Sequence, residues 1–450
     1  MSLLSRDATA GTPVARWSPP RPKVPMVRPR PLLLDPWVGL ALLYPLTMLV
    51  EFDLGGQLYL IDLLGLPLLG LLLTRPDSRA RLRQIAPAVA LLALWLASAV
   101  VTDLIRATSP ADFLRGWGRT GFFALQVVIL WLWLPRRQAY FASFAIGLGI
   151  AAIFSVPEEF AGFEWKFGYD RAASLVTLGL AYFAVRKAPG LGVAVPLVMI
   201  AIALFLLLQS ARSAFGIVFV TAVISGLLLV KHRMSDRHGR LGGASLLGLV
   251  ALSGVAALGA VSLYGSAVED GLLGRAALEK YREQTGGEVP LILGGRAESL
   301  VSIQAIADSP IIGHGSWARD KRYADLFYAA RVRLGLPMVN PLAQRSDLIP
   351  THSHLFGAWV EAGLAGGIFW IWVIATIVMA VVALFRGGRT ALAPLTCYAA
   401  TALLWSTLFS PSGATERFFD AFCLVLLMAL VIGWRGSLGW RPRSVAQRPA

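Results

Sequence analysis

Long apolar runs of roughly 16 to 22 residues recur along almost the whole chain and are separated by polar connectors. Runs such as residues 191–210 are apolar on every helical face, and about 20 such residues let a helix cross the hydrocarbon layer of a membrane. A spanning β-barrel would instead alternate apolar and polar residues with a period of two. The pattern therefore predicts an all-α polytopic membrane protein.

Twelve membrane spans are predicted from these runs. They lie near residues 37–52, 57–74, 86–105, 120–135, 140–156, 172–185, 191–209, 213–230, 243–264, 366–385, 390–409 and 419–434. Composition supports this interpretation, because a chain that is 56% hydrophobic and only 15% charged has more apolar surface than a soluble core buries. Its mean hydropathy is +0.65.

The Lys and Arg residues divide unevenly between the predicted connectors. When both tails and alternate connectors are taken as one side, that side holds 24 Lys/Arg and only 4 Asp/Glu. Connectors rich in Lys and Arg stay in the cytoplasm, so an even number of spans with both ends cytoplasmic is predicted. This asymmetry accounts for the net charge of +15, from which we do not infer nucleic-acid binding.

Connector lengths divide the chain into five parts. Residues 1–36 form a basic, proline-rich tail that we expect to be disordered, and residues 435–450 form a second cytoplasmic tail. Between them, spans one to nine occupy residues 37–264 and the last three spans lie within residues 352–434. The connector 265–351 carries ten Lys/Arg and ten Asp/Glu in segments with helical periodicity, which predicts a mostly helical loop on the external or periplasmic face.

The end of that loop carries a group of polar residues in "PTHSHLFGAWVEAGLAGG", residues 350–367. Thr351 or Ser353 is expected to cap a helix that runs on into the tenth span. His352 would lie at its start, where the helix dipole favours a neutral imidazole that can act as a general base. A histidine that simply completes a helix cap is the alternative.

Other residues of the same segment are expected to support this histidine. The spacing of His354 and Glu361 puts both on one helical face, together with Ala358. Gly363, Gly366 and Gly367 offer a small surface for close helix contact. Three acids elsewhere face the same side of the membrane, Glu51, Asp53 and Asp62, and we expect them to pair with arginines such as Arg106, Arg115 or Arg119.

Two arginines are candidates for binding a phosphate. Arg296 opens a predicted helix within residues 294–310, where its guanidinium would add to free backbone N–H groups. Arg212 lies in a very short connector between two apolar spans, where a charge is costly unless it snorkels or has a ligand. A surface ion pair for Arg296 and snorkelling for Arg212 remain the alternatives.

Together these residues suit transfer of a glycan from a lipid diphosphate outside the cytoplasm, because guanidinium groups stabilise the departing diphosphate and an imidazole deprotonates the acceptor hydroxyl. The sequence resembles the family of O-antigen ligases and O-antigen polymerase-like membrane glycosyltransferases. Arg296-Ala-Glu-Ser-Leu300 matches its Arg-x-x-x-Leu motif. His352-Ser353, nine residues and then Gly363-Leu-Ala-Gly366 match its histidine motif, whose final Thr, Ile or Val is replaced here by Gly367.

The resemblance implies a bacterial inner-membrane enzyme with its active site facing the periplasm. Arg212 and Arg296 would bind an undecaprenyl-diphosphate-linked glycan, and His352 would activate the acceptor in a metal-independent inverting transfer without a cofactor. The acceptor is lipid A-core for a ligase, or another lipid-linked glycan for a polymerase of O-antigen or exopolysaccharide. A secondary transporter is the alternative from another class, but it would hold its ionisable residues near the membrane midplane.

Overall fold

The structure, a computed structural model, describes residues 35–53, 56–156, 158–209, 211–238, 265–272, 297–333, 347–387 and 390–437, together with positions 259, 274, 275, 278 and 281. Within them the chain is mostly helical, which confirms the predicted helical class. The helices that build the fold are α1 (Pro36–Leu43), α2 (Leu60–Leu73), α3 (Ser78–Gln84), α4 (Ala86–Arg106), α5 (Pro110–Trp133), α6 (Gln138–Phe154), α7 (Glu164–Phe167), α8 (Tyr169–Lys187), α9 (Ala194–Leu208), α10 (Arg212–His238), α11 (Ala297–Asp308), α12 (Lys321–Arg333), α13 (His354–Ala362), α14 (Leu364–Arg386), α15 (Ala393–Phe409) and α16 (Glu416–Ser437).

Among the residues that the structure describes, six helical segments are long and apolar enough to cross a membrane, and they indicate a membrane protein. These segments are Ala86–Arg106, Pro110–Arg136, Pro189–Leu208, Arg212–Arg233, Leu364–Arg386 and Glu416–Trp434. Shorter apolar helices occupy Pro36–Leu49, Leu60–Leu73, Gln138–Phe154 and Ala393–Phe409. The ninth predicted span, 243–264, lies outside the described residues except for position 259, and the total of twelve crossings stays a prediction.

The helices form one bundle around α16. This helix packs against α5, α14 and α15, and it is the most buried of the six segments long enough to span a membrane. Peripheral helices leave leucines exposed, among them Leu104 of α4 (72% exposed) and Leu208 of α9 (68%). Exposed apolar side chains on long apolar helices suit contact with lipid.

A small hairpin joins the first two apolar helices. Glu51–Asp53 forms β1 and Gln57–Tyr59 forms β2, paired antiparallel with Glu51 opposite Tyr59. Glu51 and Asp53 are exposed on this hairpin. Asp62 lies three residues after it, in the first turn of α2, where its Oδ2 accepts a hydrogen bond from the Tyr59 backbone N–H at 3.1 Å.

Two of the helices predicted for the long connector are present as α11 and α12. They pack on each other, and Tyr323 of α12 donates a hydrogen bond of 2.6 Å to the Asp308 carboxylate at the end of α11. Burial raises the pKa of Tyr323 to about 12. Hydrogen bonds from Tyr323 and Gln304 hold the pKa of Asp308 below its usual value, so a neutral phenol and an ionised carboxylate meet there at neutral pH.

The expectation of one continuous helix from Ser353 into the tenth predicted span is wrong. Gly363 separates α13 from α14 with φ +65 and ψ −155, a conformation that only glycine adopts readily. A Cβ at this position would also overlap the carbonyl oxygen of Ile311. Gly366 and Gly367 let the first turn of α14 lie against Ala358 and Trp359 of α13, because a Cβ at either position would overlap these residues.

Candidate active site

His352 lies in the segment without regular secondary structure that leads into α13, and it is partly buried. Ser353 is the N-cap of α13, as predicted, and its Oγ accepts a hydrogen bond of 3.2 Å from the Phe356 N–H. The same hydroxyl donates to the Thr407 carbonyl of α15 at 2.8 Å. His352 is thus the last residue before a helix start that is fixed to α15.

His354 begins α13 and points into the bundle. Its side chain is 2% exposed and that of Asp420 is 3% exposed, with 2.7 Å between His354 Nε2 and Asp420 Oδ2. The other ring nitrogen, Nδ1, lies 2.8 Å from the Ser410 carbonyl oxygen. The ring of Trp370 packs against the imidazole in a T-shaped arrangement, with ring centroids 4.9 Å apart and 69° between the ring planes.

Glu361 lies at the other end of α13 and forms an ion pair with Arg119 of α5. The Arg119 guanidinium also lies over the ring of Trp317, 4.7 Å from its centroid. Trp317 has a positive φ of 51, which is unusual for a residue with a large side chain. Its backbone N–H donates to the Glu361 carboxylate at 3.4 Å. A carboxylate, a guanidinium and an indole ring therefore meet beside α13.

Residues 309–320, which we call the docking loop, run between α11 and α12 and contact the end of α13. The N–H groups of His314 and Gly315 donate to the carbonyls of Val360 and Glu361 at 2.7 and 3.1 Å. The hydroxyl of Ser98 on α4 donates to the Ala362 carbonyl at 2.7 Å. These bonds occupy carbonyls that the helix end leaves without an intrahelical donor.

Asp103 of α4 fixes the docking loop at Ser316. Its carboxylate, which is 2% exposed, accepts the backbone N–H of Ser316 at 2.6 Å and the Ser316 hydroxyl at 2.7 Å. The indole N–H of Trp117 donates to the same carboxylate at 2.8 Å. The connector that precedes His352 is therefore attached to α4 and α5 as well as to α13.

Arg212 is the first residue of α10 and is partly buried. Helix α10 packs against α15, and Thr221 and Thr401 share a hydrogen bond of 2.8 Å between these two helices. Further along, Leu228 of α10 lies in the same apolar cluster as Cys397 of α15. From the first contact to the second, the residue number rises along α10 (221 to 228) and falls along α15 (401 to 397). The two helices are therefore antiparallel.

This antiparallel packing brings Arg212 to the same end of the bundle as His352. Arg212 lies nine residues before Thr221, and Ser410 lies nine residues after Thr401. At 1.5 Å per residue both are about 13 Å along the axis from the threonine contact. His354 contacts Ser410 directly, and we call this the site end of the bundle. Arg296 lies outside the described residues, directly before α11.

Three charged residues at the start of α16 belong to the site end and were not among the predicted site residues. Each pairs with a different helix: Glu416 with Arg171 of α8 at 3.5 Å, Arg417 with Asp62 of α2, and Asp420 with His354 of α13 at 2.7 Å. Their signal in the sequence was the charged stretch at the start of a strongly apolar run. Ionisable residues in such a place need partners.

Asp62 pairs with an arginine, as expected, but the partner is not one of the three examples named from the sequence. Its partner is Arg417, and the two side chains are 0% and 6% exposed. A carboxylate so deeply buried needs a partner at the same depth, which α16 supplies from the centre of the bundle. Arg106 instead donates to the Gly313 carbonyl of the docking loop at 3.0 Å.

The two histidines near the start of α13 have different surroundings. Both ring nitrogens of His354 are occupied by protein oxygens, so this imidazole has no nitrogen left for a substrate proton. His352 lies outside the buried group formed by His354, Asp420 and Trp370, next to the fixed cap residue Ser353.

A scan against protein-family models matches none. A search of the curated proteins likewise finds no match.

Proposed function

We propose that the protein is a membrane glycosyltransferase that moves a glycan from an undecaprenyl-diphosphate-linked donor to an acceptor hydroxyl. The acceptor of an O-antigen ligase, lipid A-core, is the one we favour. Polymerisation of O-antigen or exopolysaccharide repeat units on the lipid carrier is the second candidate, favoured by the same motifs. In this proposal the chain crosses the bacterial inner membrane twelve times and its site end faces the periplasm.

One observation carries the proposal. His352 directly precedes a helix start that is fixed to α15 through Ser353, and Arg212 begins α10 at that same end of the bundle. A base next to a fixed helix start and a cation at the same end of the bundle suit a reaction that removes a proton and builds negative charge. Arg296, next to the start of α11, would add a second guanidinium.

The proposed roles follow from the chemistry of the transfer. The imidazole of His352 takes the proton of the acceptor hydroxyl while the oxygen attacks the anomeric carbon. The sugar–phosphate bond breaks, and its electron pair leaves with the lipid diphosphate, whose charge Arg212 and Arg296 stabilise. Protein groups alone supply the base and the countercharge in this scheme.

The test is a transfer assay with the purified protein in lipid nanodiscs, an undecaprenyl-diphosphate-linked glycan, lipid A-core and EDTA. Wild type should form glycosylated lipid A-core. His352→Ala should lower the rate by a factor on the order of 10² to 10⁴, which is the usual contribution of a general base. Arg212→Ala and Arg296→Ala should slow the transfer as well.

His232→Ala is the matched control, because His232 lies towards the other end of α10 and should leave the rate unchanged. An unimpaired His352→Ala variant would remove the general base from the proposal. Longer glycans that stay on the lipid carrier would identify a polymerase. If wild type forms no glycan product from either acceptor, the glycosyltransferase proposal fails.

A further inference from the structure

A histidine and an aspartate form a buried pair two residues from the proposed base. His354 and Asp420 are 2% and 3% exposed, and the ring of Trp370 forms a T-shaped contact with the imidazole. Asp420 is in the second turn of α16, at the site end of the most buried spanning helix. The proposed chemistry gives neither side chain a task.

The hydrogen bonds of this pair fix its proton content. The Ser410 carbonyl can only accept, so His354 Nδ1 carries a hydrogen. His354 Nε2 lies 2.7 Å from Asp420 Oδ2, and an ionised carboxylate also only accepts. A proton must therefore lie between Nε2 and Oδ2, which makes the pair neutral as a whole, whether the proton is on the nitrogen or on the oxygen.

The pair also fixes the position of the backbone around His352. His354 joins the first residue of α13 to the end of α15 through Ser410 and to α16 through Asp420. Ser353 adds a bond to Thr407. The two residues that follow His352 are thus held by three hydrogen bonds, which reach α15 and its C-terminal end and α16.

A buried ion or proton-sharing pair is a poor way to stabilise a bundle, because apolar residues of similar volume often stabilise it equally well. Such a pair differs from apolar contacts in one respect. Its hydrogen bonds fix the orientation of the side chains and of the backbone that carries them, whereas apolar contacts do not. Displacement of a reacting group by about 1 Å can cost on the order of a hundredfold in rate. The place where direction matters is next to the general base.

We propose that His354, through its shared proton with Asp420, is a positioning residue that holds His352 in its reactive orientation. This inference rests on the proposed function for its kinetic test, and on the pair alone for its structural test. It excludes His354 as the general base.

The kinetic test compares Asp420→Leu with Asp420→Asn in the transfer assay. Leu removes the hydrogen bond. Asn keeps it, because its amide N–H can donate to Nε2 of a neutral His354 that still donates from Nδ1 to Ser410. Asp420→Leu and His354→Ala should lower kcat per folded enzyme on the order of a hundredfold, with KM for the lipid-linked donor nearly unchanged. Asp420→Asn should keep most of the wild-type kcat.

Two results would overturn the positioning role: an unchanged kcat per folded enzyme in His354→Ala, or a kcat in Asp420→Asn as low as in Asp420→Leu. His232→Ala serves again as the control. The folded fraction of each variant is measured by size-exclusion chromatography and thermal unfolding, so that a loss of fold is separated from a loss of rate.

The pair itself is tested without any substrate. The melting temperature is measured for His354→Ala, Asp420→Ala and the double variant. Because each single variant already breaks the pair, the decrease in the double variant should be much smaller than the sum of the two single decreases. Additive shifts would overturn the pair. If wild type forms no glycan product while the shifts are non-additive, the proposed function fails and the pair stands.

Discussion

At the residue scale, the sequence named His352 as the candidate general base and His354 as a supporting residue, but it did not predict the partner of either side chain. His352 is the motif histidine and His354 is the first of the nine unspecified residues that follow Ser353, and the pattern does not show which of the two is buried. The answer depends on Asp420, which is 66 positions away from His354 in the chain. Local spacing narrowed the helix cap to Thr351 or Ser353, and Ser353 is the cap, because a cap involves only neighbouring residues.

Gly363 gives the sharpest prediction at this scale. Gly363→Ala should lower the free energy of unfolding by about 3 kcal/mol or more, because alanine is strained at φ +65 and ψ −155 and its methyl group overlaps the Ile311 carbonyl. Thermal unfolding in detergent measures the change.

The matched control for that substitution is Gly70→Ala. Gly70 is inside α2, and a Cβ there meets nothing within 4 Å, so alanine should leave stability unchanged or raise it by roughly 0.5 to 1 kcal/mol. An equal, small effect of both substitutions would show that the backbone break at Gly363 is not required.

At the element scale, helix positions were predictable and their interruption was not. The apolar pattern continues through residues 354–386, so it favours a single helix. The break is stabilised by the docking loop, whose N–H groups cap α13 from about 50 residues earlier in the chain. Only the tertiary contact supplies those donors, which is why periodicity alone predicts a continuous helix.

The attachment of the docking loop should depend on Asp103. Asp103→Ala removes the acceptor of three hydrogen bonds, two from Ser316 and one from Trp117. A hydrogen bond to a charged group contributes up to about 3 kcal/mol to stability. We therefore expect faster amide hydrogen exchange across residues 313–317, measured by mass spectrometry.

Asp325→Ala is the comparison for this variant, since Asp325 is an exposed acid on the neighbouring helix α12. It should leave exchange in the docking loop unchanged. Wild-type exchange rates in Asp103→Ala would mean that backbone bonds to α13 hold the loop without the carboxylate.

At the scale of the whole molecule, composition and apolar runs were sufficient to predict a helical membrane protein. The partners of its buried charges were not predictable, because Arg417 and Asp62 are 355 positions apart. Such pairs depend on which helices become neighbours, and a single sequence does not encode that in any local pattern. The start of α16, with its partners on α2, α8 and α13, joins the first half of the chain to the last.

The same scale carries the prediction of sidedness, which follows from the distribution of Lys and Arg. A variant without Cys397 and Cys423, both buried, receives one new cysteine at Lys321 of α12 or at Ala80 of α3, two exposed positions. In spheroplasts, a membrane-impermeant maleimide should label Lys321→Cys at once. Ala80→Cys should react only after the membrane is permeabilised, because α3 lies in the basic connector assigned to the cytoplasm. The reverse pattern would put α11 and α12 in the cytoplasm, where lipid-linked glycans are not delivered to an external acceptor, and the proposed reaction would lose its compartment.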